Sequence, residues 1–130
     1  IIYKRVRNNK LETIFGCQLT NFQRVEDKVK YMKNTAIKDH PILKELPESF
    51  ELNDGEIIWG NWANDIICLY QTDEQNPKPL VVARQYSNGK VVWLNSGDKR
   101  DSLAGSISLP EDNFMNLLRN SINWLIKHDD

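Results

Sequence analysis

The sequence predicts an α/β domain with a mixed sheet, a C-terminal β-hairpin and a long C-terminal helix. Three observations carry this expectation. First, two apolar runs, "LVVARQY" (80–86) and "KVVWLN" (90–95), flank Asn88 and Gly89. Both of these residues tolerate the positive φ that a two-residue type I′ hairpin turn demands. Second, "EIIW" (56–59) and "DIICLYQ" (65–71) are short runs rich in Ile, Tyr and Trp, the composition of strands. Third, the last long segment is amphipathic at helical spacing. Phe114, Met115, Leu117, Leu118, Ile122, Trp124, Leu125 and Ile126 fall in one arc of roughly 200°. Asn113, Asn116, Arg119, Asn120, Asn123 and Lys127 fill the remainder. Such a helix packs on a sheet and shows its other face to water.

The remaining elements follow in order. "KLETIFG" (10–16) sets Leu11, Ile14 and Phe15 on one helical face, and Gly16 suits the stop. "VEDKVKYMK" (25–33) alternates Val25, Val29 and Tyr31 against Lys28 and Lys30. That pattern is a strand with one wet face, an edge strand guarded by lysines. "DHPILKELP" (39–47) has Pro41 in the first turn of a short helix, which Pro47 ends. "TDEQNPKP" (72–79) is a polar loop. Ser108 and Glu111 form a capping box for the last helix, with Pro110 in its first turn. A complete doubly wound domain opens with βαβ units, and almost nothing precedes the first helix here.

These segments carry a resemblance. "LETIFGCQL", "DHPILKELPESFEL", "PLVVARQYSNGKVVWLNSGD" and "FMNLLRNSINWL" occur in the order seen in the class I glutamine amidotransferase-like superfamily. Over residues 8–127 the chain most resembles the non-amidotransferase branch. That branch includes trehalose-utilisation-type proteins and the amidotransferase-like domains attached to β-galactosidases and other polysaccharide-active enzymes. The resemblance implies a partial flavodoxin-like sandwich, of which this chain is the second half. It also implies one domain, residues 1–130, within a longer protein. The first residue, Ile1 rather than Met, points the same way.

In catalytic members of that superfamily a Cys on a strand-to-helix elbow is the nucleophile, and a His-x-Glu pair at the end of the last core strand activates it. The chemistry needs a thiolate beside a base that a carboxylate orients. Here the strand "KVVWLN" is followed by Ser96, Gly97 and Asp98, with no His. The elbow belongs before "KLETIFG", where the chain has almost nothing. Cys17 and Cys68 lie among apolar neighbours and read as small buried hydrophobes. His40 reads as a helix-entry residue, and His128 lies in the last turn, where a cation suits the helix dipole. His, Cys, Asp and Glu show no metal-ligand spacing, so neither a metal nor a cofactor is expected. On these grounds the chain is read as leaning away from an enzyme. The rival is a fragment of a hydrolase whose nucleophile lies upstream or on a partner chain.

Two groups of residues are candidates for ligand binding. Asn95, Asp98, Lys99 and Arg100 follow the last strand, where α/β proteins place ligands. Arg100 offers a bidentate fork to a polar group. The alternative is a solvated loop with surface ion pairs of little worth. Trp59 and Trp62, in "WGNW", offer two rings that could stack on sugar faces. The alternative is that Trp59 ends a core strand and Trp62 covers the sheet edge. Trp93 and Trp124 are assigned to the core between the last strand and the last helix.

The net charge of −1 gives no long-range pull toward nucleic acid or acidic lipid, and no basic patch is interleaved with aromatics. No apolar run is long enough to span a membrane, and the first residues do not resemble a signal peptide. No nucleic-acid or membrane partner is therefore expected. A half-size domain with this much strand leaves sheet that two helices do not cover. The expected partner is a second copy, as a homodimer, or the remainder of the parent protein, with a carbohydrate as the small ligand. The competing expectation is that "IIYKRV" (1–6) folds back and closes the edge.

Overall fold

The hairpin is the organising unit of a five-stranded sheet. The computed structural model describes residues 9–24, 28–52, 56–95 and 112–127. Along the chain these form α1 (Asn9–Phe15), β1 (Cys17–Arg24), β2 (Val29–Lys33), a 3-10 turn (Pro41–Leu43), β3 (Ser49–Leu52), β4 (Glu56–Trp62), β5 (Ile67–Gln71), β6 (Pro79–Tyr86), β7 (Gly89–Leu94) and α2 (Asp112–Ile126). The sheet runs β3-β2-β5-β6-β7, and β1 and β4 pair as a separate two-stranded ribbon. The α/β class, the hairpin and the C-terminal helix stand as the sequence led one to expect. Val25, the capping box at 108–111, the segment 1–6 and His128 lie outside the described residues.

Three details differ from the sequence reading. Every strand pairing among the described residues is antiparallel, so the parallel pairs of a mixed sheet are not among them. For β5, β6 and β7 the short links explain this. Two residues join β6 to β7 and a seven-residue loop joins β5 to β6, whereas a parallel crossover needs a dozen residues or more. The hairpin turn falls one residue early: Tyr86 pairs with Gly89, so Ser87 and Asn88 are its tip. Ser87, not Gly89, takes the positive φ, at 55°. Finally, β2 lies between β3 and β5 rather than at an edge. Its wet face is real, with Val29 and Tyr31 buried and Lys30 exposed. Only Met32 and Lys33 pair with β5, so the first part of β2 remains open on that side.

The core is built around this sheet. Tyr31, Phe50, Leu69, Tyr70, Leu80 and Val81 cluster with Phe114, Leu117 and Trp124 of α2 and with Ile42, Leu43 and Leu46. Leu80 to Ala83 are all buried, so β6 is covered on both faces. Tyr31 stacks on Phe50 at 4.9 Å, and Phe50 meets Tyr70 edge-on at 5.2 Å. The Tyr70 hydroxyl donates to the Pro47 carbonyl at 2.6 Å, which keeps the polar end of a fully buried ring satisfied. The two helices lie on opposite faces of β7. Val92 and Leu94 pack toward the core under α2. Trp93 points the other way, against Phe15 of α1. Trp93 therefore does not share a core layer with Trp124, because neighbouring positions on a strand face opposite sides.

Among the described residues, polar contacts fasten α2 at two points. Lys90 Nζ donates to the carbonyls of Trp124 and Lys127 at 3.2 and 2.9 Å, and it lies 5.1 Å from the Trp124 ring centre. A cation at that end complements the helix dipole. Asn120 Nδ2 donates to the carbonyls of Ile42 and Lys44 at 3.0 and 2.9 Å, tying the polar flank of the helix to the 3-10 turn.

Candidate functional site

Asn95 directly follows β7, and its side chain is firmly anchored. It is only 6% exposed. Its Nδ2 donates to the carbonyls of Ile58 and Pro79 at 2.7 and 3.3 Å, and its Oδ1 accepts from the Ile58 N–H at 3.2 Å. The amide thus imitates one rung of a β-ladder and joins β4 of the ribbon to the five-stranded sheet. Its backbone is also engaged, with the N–H on Leu80 and the carbonyl accepting from the Tyr31 hydroxyl. Asp98, Lys99 and Arg100 lie outside the described residues.

The two tryptophans of "WGNW" are not brought together. They lie three positions apart on β4, so alternation sends them to opposite faces. Trp59 packs against the main core, with Lys78 Nζ 4.7 Å from its ring centre. Trp62 meets Trp93 edge-to-face at 5.7 Å. The buried indole nitrogens of Trp62 and Trp93 have no hydrogen-bond partner.

Trp62 also lines an open cleft of about 530 Å³ that the sequence reading missed. The cleft forms where α1 turns into β1. Gly16 makes that turn at φ +79°, and its N–H donates to the Glu12 carbonyl while its own carbonyl accepts from Ala63 N–H. A side chain at Gly16 would be strained by that φ and would meet Arg84 and Ile66 at 3.1 Å. Arg84, from β6, reaches across. Its Nη1 donates to the Thr13 and Ile14 carbonyls at 2.6 and 2.9 Å, and its Nε to Asp65 at 3.0 Å. The guanidinium therefore caps the C-terminal end of α1, where a cation is favoured. Glu12 Oε2 accepts from the Leu19 N–H at 2.6 Å. Gln18 and Asn61, exposed cross-strand partners, supply amides at the rim.

The electrostatics of the cleft do not favour a nucleophile. Cys17, on its floor, is 2% exposed. Burial, with the Glu12 carboxylate adding to it, pushes its thiol up to about 12. Burial raises Cys68 to about 11, and its Sγ lies 3.4 Å from the Tyr70 carbonyl. Both are thiols rather than thiolates at neutral pH, so both lack the reactive form. His40 caps the 3-10 turn, its Nδ1 accepting from the Ile42 N–H at 3.2 Å, and burial lowers its pKa. Among the described residues no three His, Cys, Asp or Glu side chains group as metal ligands. Nor is any described helix long and apolar enough to cross a membrane.

Neither a protein-family model nor a curated protein matches the chain. A solved structure does. The crystal structure of a ThuA-like protein from Bacteroides uniformis matches 98% of this chain with a TM-score of 0.68 at 16% sequence identity. The chain has a ThuA-like fold. It spans 55% of the length of that protein, about half. At this identity the likeness is one of fold.

Proposed function

We propose that this chain is a non-catalytic, amidotransferase-like accessory module, a partial flavodoxin-like domain serving a larger carbohydrate-acting protein by docking or by holding a small polar ligand. The observation that carries this reading is the state of its thiols. The superfamily's chemistry needs an exposed thiolate beside a base, whereas Cys17 and Cys68 are pushed up to about 12 and about 11 by burial. The sequence after β7 supports it, since it runs Asn95, Ser96, Gly97, Asp98 without a His. The cleft beside α1 is the place for the ligand. It offers a carboxylate, two rim amides, a fixed guanidinium and one indole wall, a few polar groups around a concave surface.

Two measurements test the reading. The protein is assayed on generic amide and ester substrates, alone and as Cys17→Ala and Cys68→Ala, with no turnover expected. Turnover abolished by either substitution rejects it in favour of a hydrolase fragment. Tryptophan fluorescence titrated with monosaccharides and oligosaccharides then reports on the cleft through Trp62. A saturable change lost in Asn61→Ala assigns the ligand role to the cleft, and a flat titration leaves docking as the role.

A further inference from the structure

The cleft beside α1 has one cationic side chain in its wall, Arg84. How that side chain is engaged limits what the cleft can hold. A guanidinium takes a carboxylate or phosphate through two parallel bonds, from Nη1 with Nη2 or from Nε with Nη2. Here Nη1 donates to the Thr13 and Ile14 carbonyls at 2.6 and 2.9 Å. Nε donates to Asp65 at 3.0 Å. Each fork therefore has one prong already occupied. Among the described residues only Nη2 is left to donate to a ligand, and one nitrogen makes no fork.

The rest of the wall agrees. Glu12 adds a carboxylate, and Asp65 sets a second one on the guanidinium. Burial raises the Cys17 thiol on the floor to about 12, and the Glu12 charge adds to that rise, so the field of this carboxylate reaches the floor. A further anion brought here meets like charge. Gln18 and Asn61, both exposed, carry amides that donate and accept. The indole nitrogen of Trp62 is buried, so this half-buried side chain can show the cleft only ring carbon.

We propose, on the reading that this cleft is the ligand site, that it takes an uncharged pyranose and discriminates against hexuronates and sugar phosphates, with Glu12 setting the selection. The hydroxyls of a neutral sugar both donate and accept. The Glu12 carboxylate accepts from them, Arg84 Nη2 donates to them, and the two amides do either. The C–H face of the ring lies against Trp62. A volume of about 530 Å³ is in the range of small-molecule sites. A neutral ring leaves every Arg84 bond in place. An acidic group could gain a fork only by displacing Asp65 or by releasing the C-terminal end of α1.

The test is binding of glucose, glucuronate and protonated glucosamine, read by saturation-transfer NMR and by tryptophan fluorescence. Glucosamine should bind at least as tightly as glucose, and glucuronate severalfold more weakly. Glu12→Gln keeps an acceptor for the Leu19 N–H, and circular dichroism checks that it folds. This variant should strengthen glucuronate severalfold and leave glucose little changed. Asn61→Ala should weaken all three alike. Glucuronate bound as tightly as glucose, or a gap that Glu12→Gln does not narrow, would overturn the selection while the cleft remained a sugar site. A wild type that binds none of the probes would overturn the inference and leave docking as the accessory role. Turnover lost in Cys17→Ala or Cys68→Ala would reject the accessory reading itself, and the inference with it.

Discussion

The two sheets of this chain are held together by different forces. The five-stranded sheet rests on burial: Tyr31, Leu69, Tyr70, Leu80 and Val81 are all fully buried. The β1–β4 ribbon has little to bury along β1, where Gln18, Thr20, Asn21, Phe22 and Gln23 are all exposed. It depends on backbone geometry instead. Thr20 is the extra residue of a bulge between Leu19 and Asn21, opposite Gly60 and Trp59. Gly60 lets β1 approach so closely that an added Cβ would lie 1.9 Å from the Gln18 carbonyl oxygen. Asn95 and Glu12 then fix the ribbon with side-chain hydrogen bonds to its backbone. Apolar burial tolerates adjustment, while a ribbon of this kind depends on single atoms being in place.

Substitutions of graded effect can break or sharpen this contrast. Leu69→Ala, in the fully buried sheet, should cost about 2–5 kcal/mol in denaturant unfolding, because it removes methyl groups and leaves a cavity. Next comes the ribbon: Gly60→Ala forces β1 and β4 apart and should cost about 1–3 kcal/mol. Its mark is early loss of amide exchange protection in 17–24 and 56–62, while β5–β7 stay protected. Uniform loss across both sheets would mean that the ribbon has no independence. Asn95→Ala leaves the Ile58 N–H and carbonyl without their partner at a buried position, which should cost about 1–3 kcal/mol. Asn95→Asp should restore little of it, since an ionised carboxylate cannot donate to the carbonyls of Ile58 and Pro79.

Two smaller effects test the attachment of α2 and its neighbouring turn. Asn120→Ala should cost about 1 kcal/mol through its two lost bonds to the 3-10 turn, more than a solvent-facing Asn would. The smallest effect is a pH dependence at His40. Its folded pKa lies below the ordinary value of 6.5 because burial disfavours the imidazolium. The unfolded chain therefore binds more protons just below pH 6.5, so the contribution is present above that pH and is lost as pH falls through the folded pKa. Protonating Nδ1 also removes the acceptor for the Ile42 N–H. Stability measured from pH 7.5 downward should fall slightly more in the wild type than in His40→Asn, which keeps a cap acceptor and does not titrate. Parallel curves would show that the half-buried ring is screened by solvent.

Local pattern determined a good part of this molecule. The helix stopped by Gly16, the turn entered through His40 and Pro41, strands β4 to β7 and the amphipathic α2 are each legible in the sequence. Each is set by interactions within a few residues: a positive φ, a fixed proline φ, alternation of period two or a helical arc. Of the two cysteines read as buried, Cys17 is, whereas Cys68 is only half-buried. Strand β1 was not legible. "CQLTNFQR" alternates only from Cys17 to Thr20 before a bulge breaks the pattern, and its pairing comes from close approach at Gly60, some forty residues away in sequence. Nor was the cleft, which needs Glu12, Asn61 and Arg84 from three separate elements.

Tertiary structure alone decided which polar residues are structural and which apolar ones are left uncovered. Asn120 sits among asparagines on the polar side of α2 and reads as a surface residue, yet the 3-10 turn offers it two carbonyls. Asn95 reads as a strand-end ligand residue, and the backbone of β4 occupies its amide. The arc of α2 reads as one buried face, and the sheet covers only half of it. The physical reason is common to all three. A sequence records which side chains are apolar or can hydrogen-bond, but the partner that covers or satisfies each one arrives from a distant segment, at a distance only the folded chain sets.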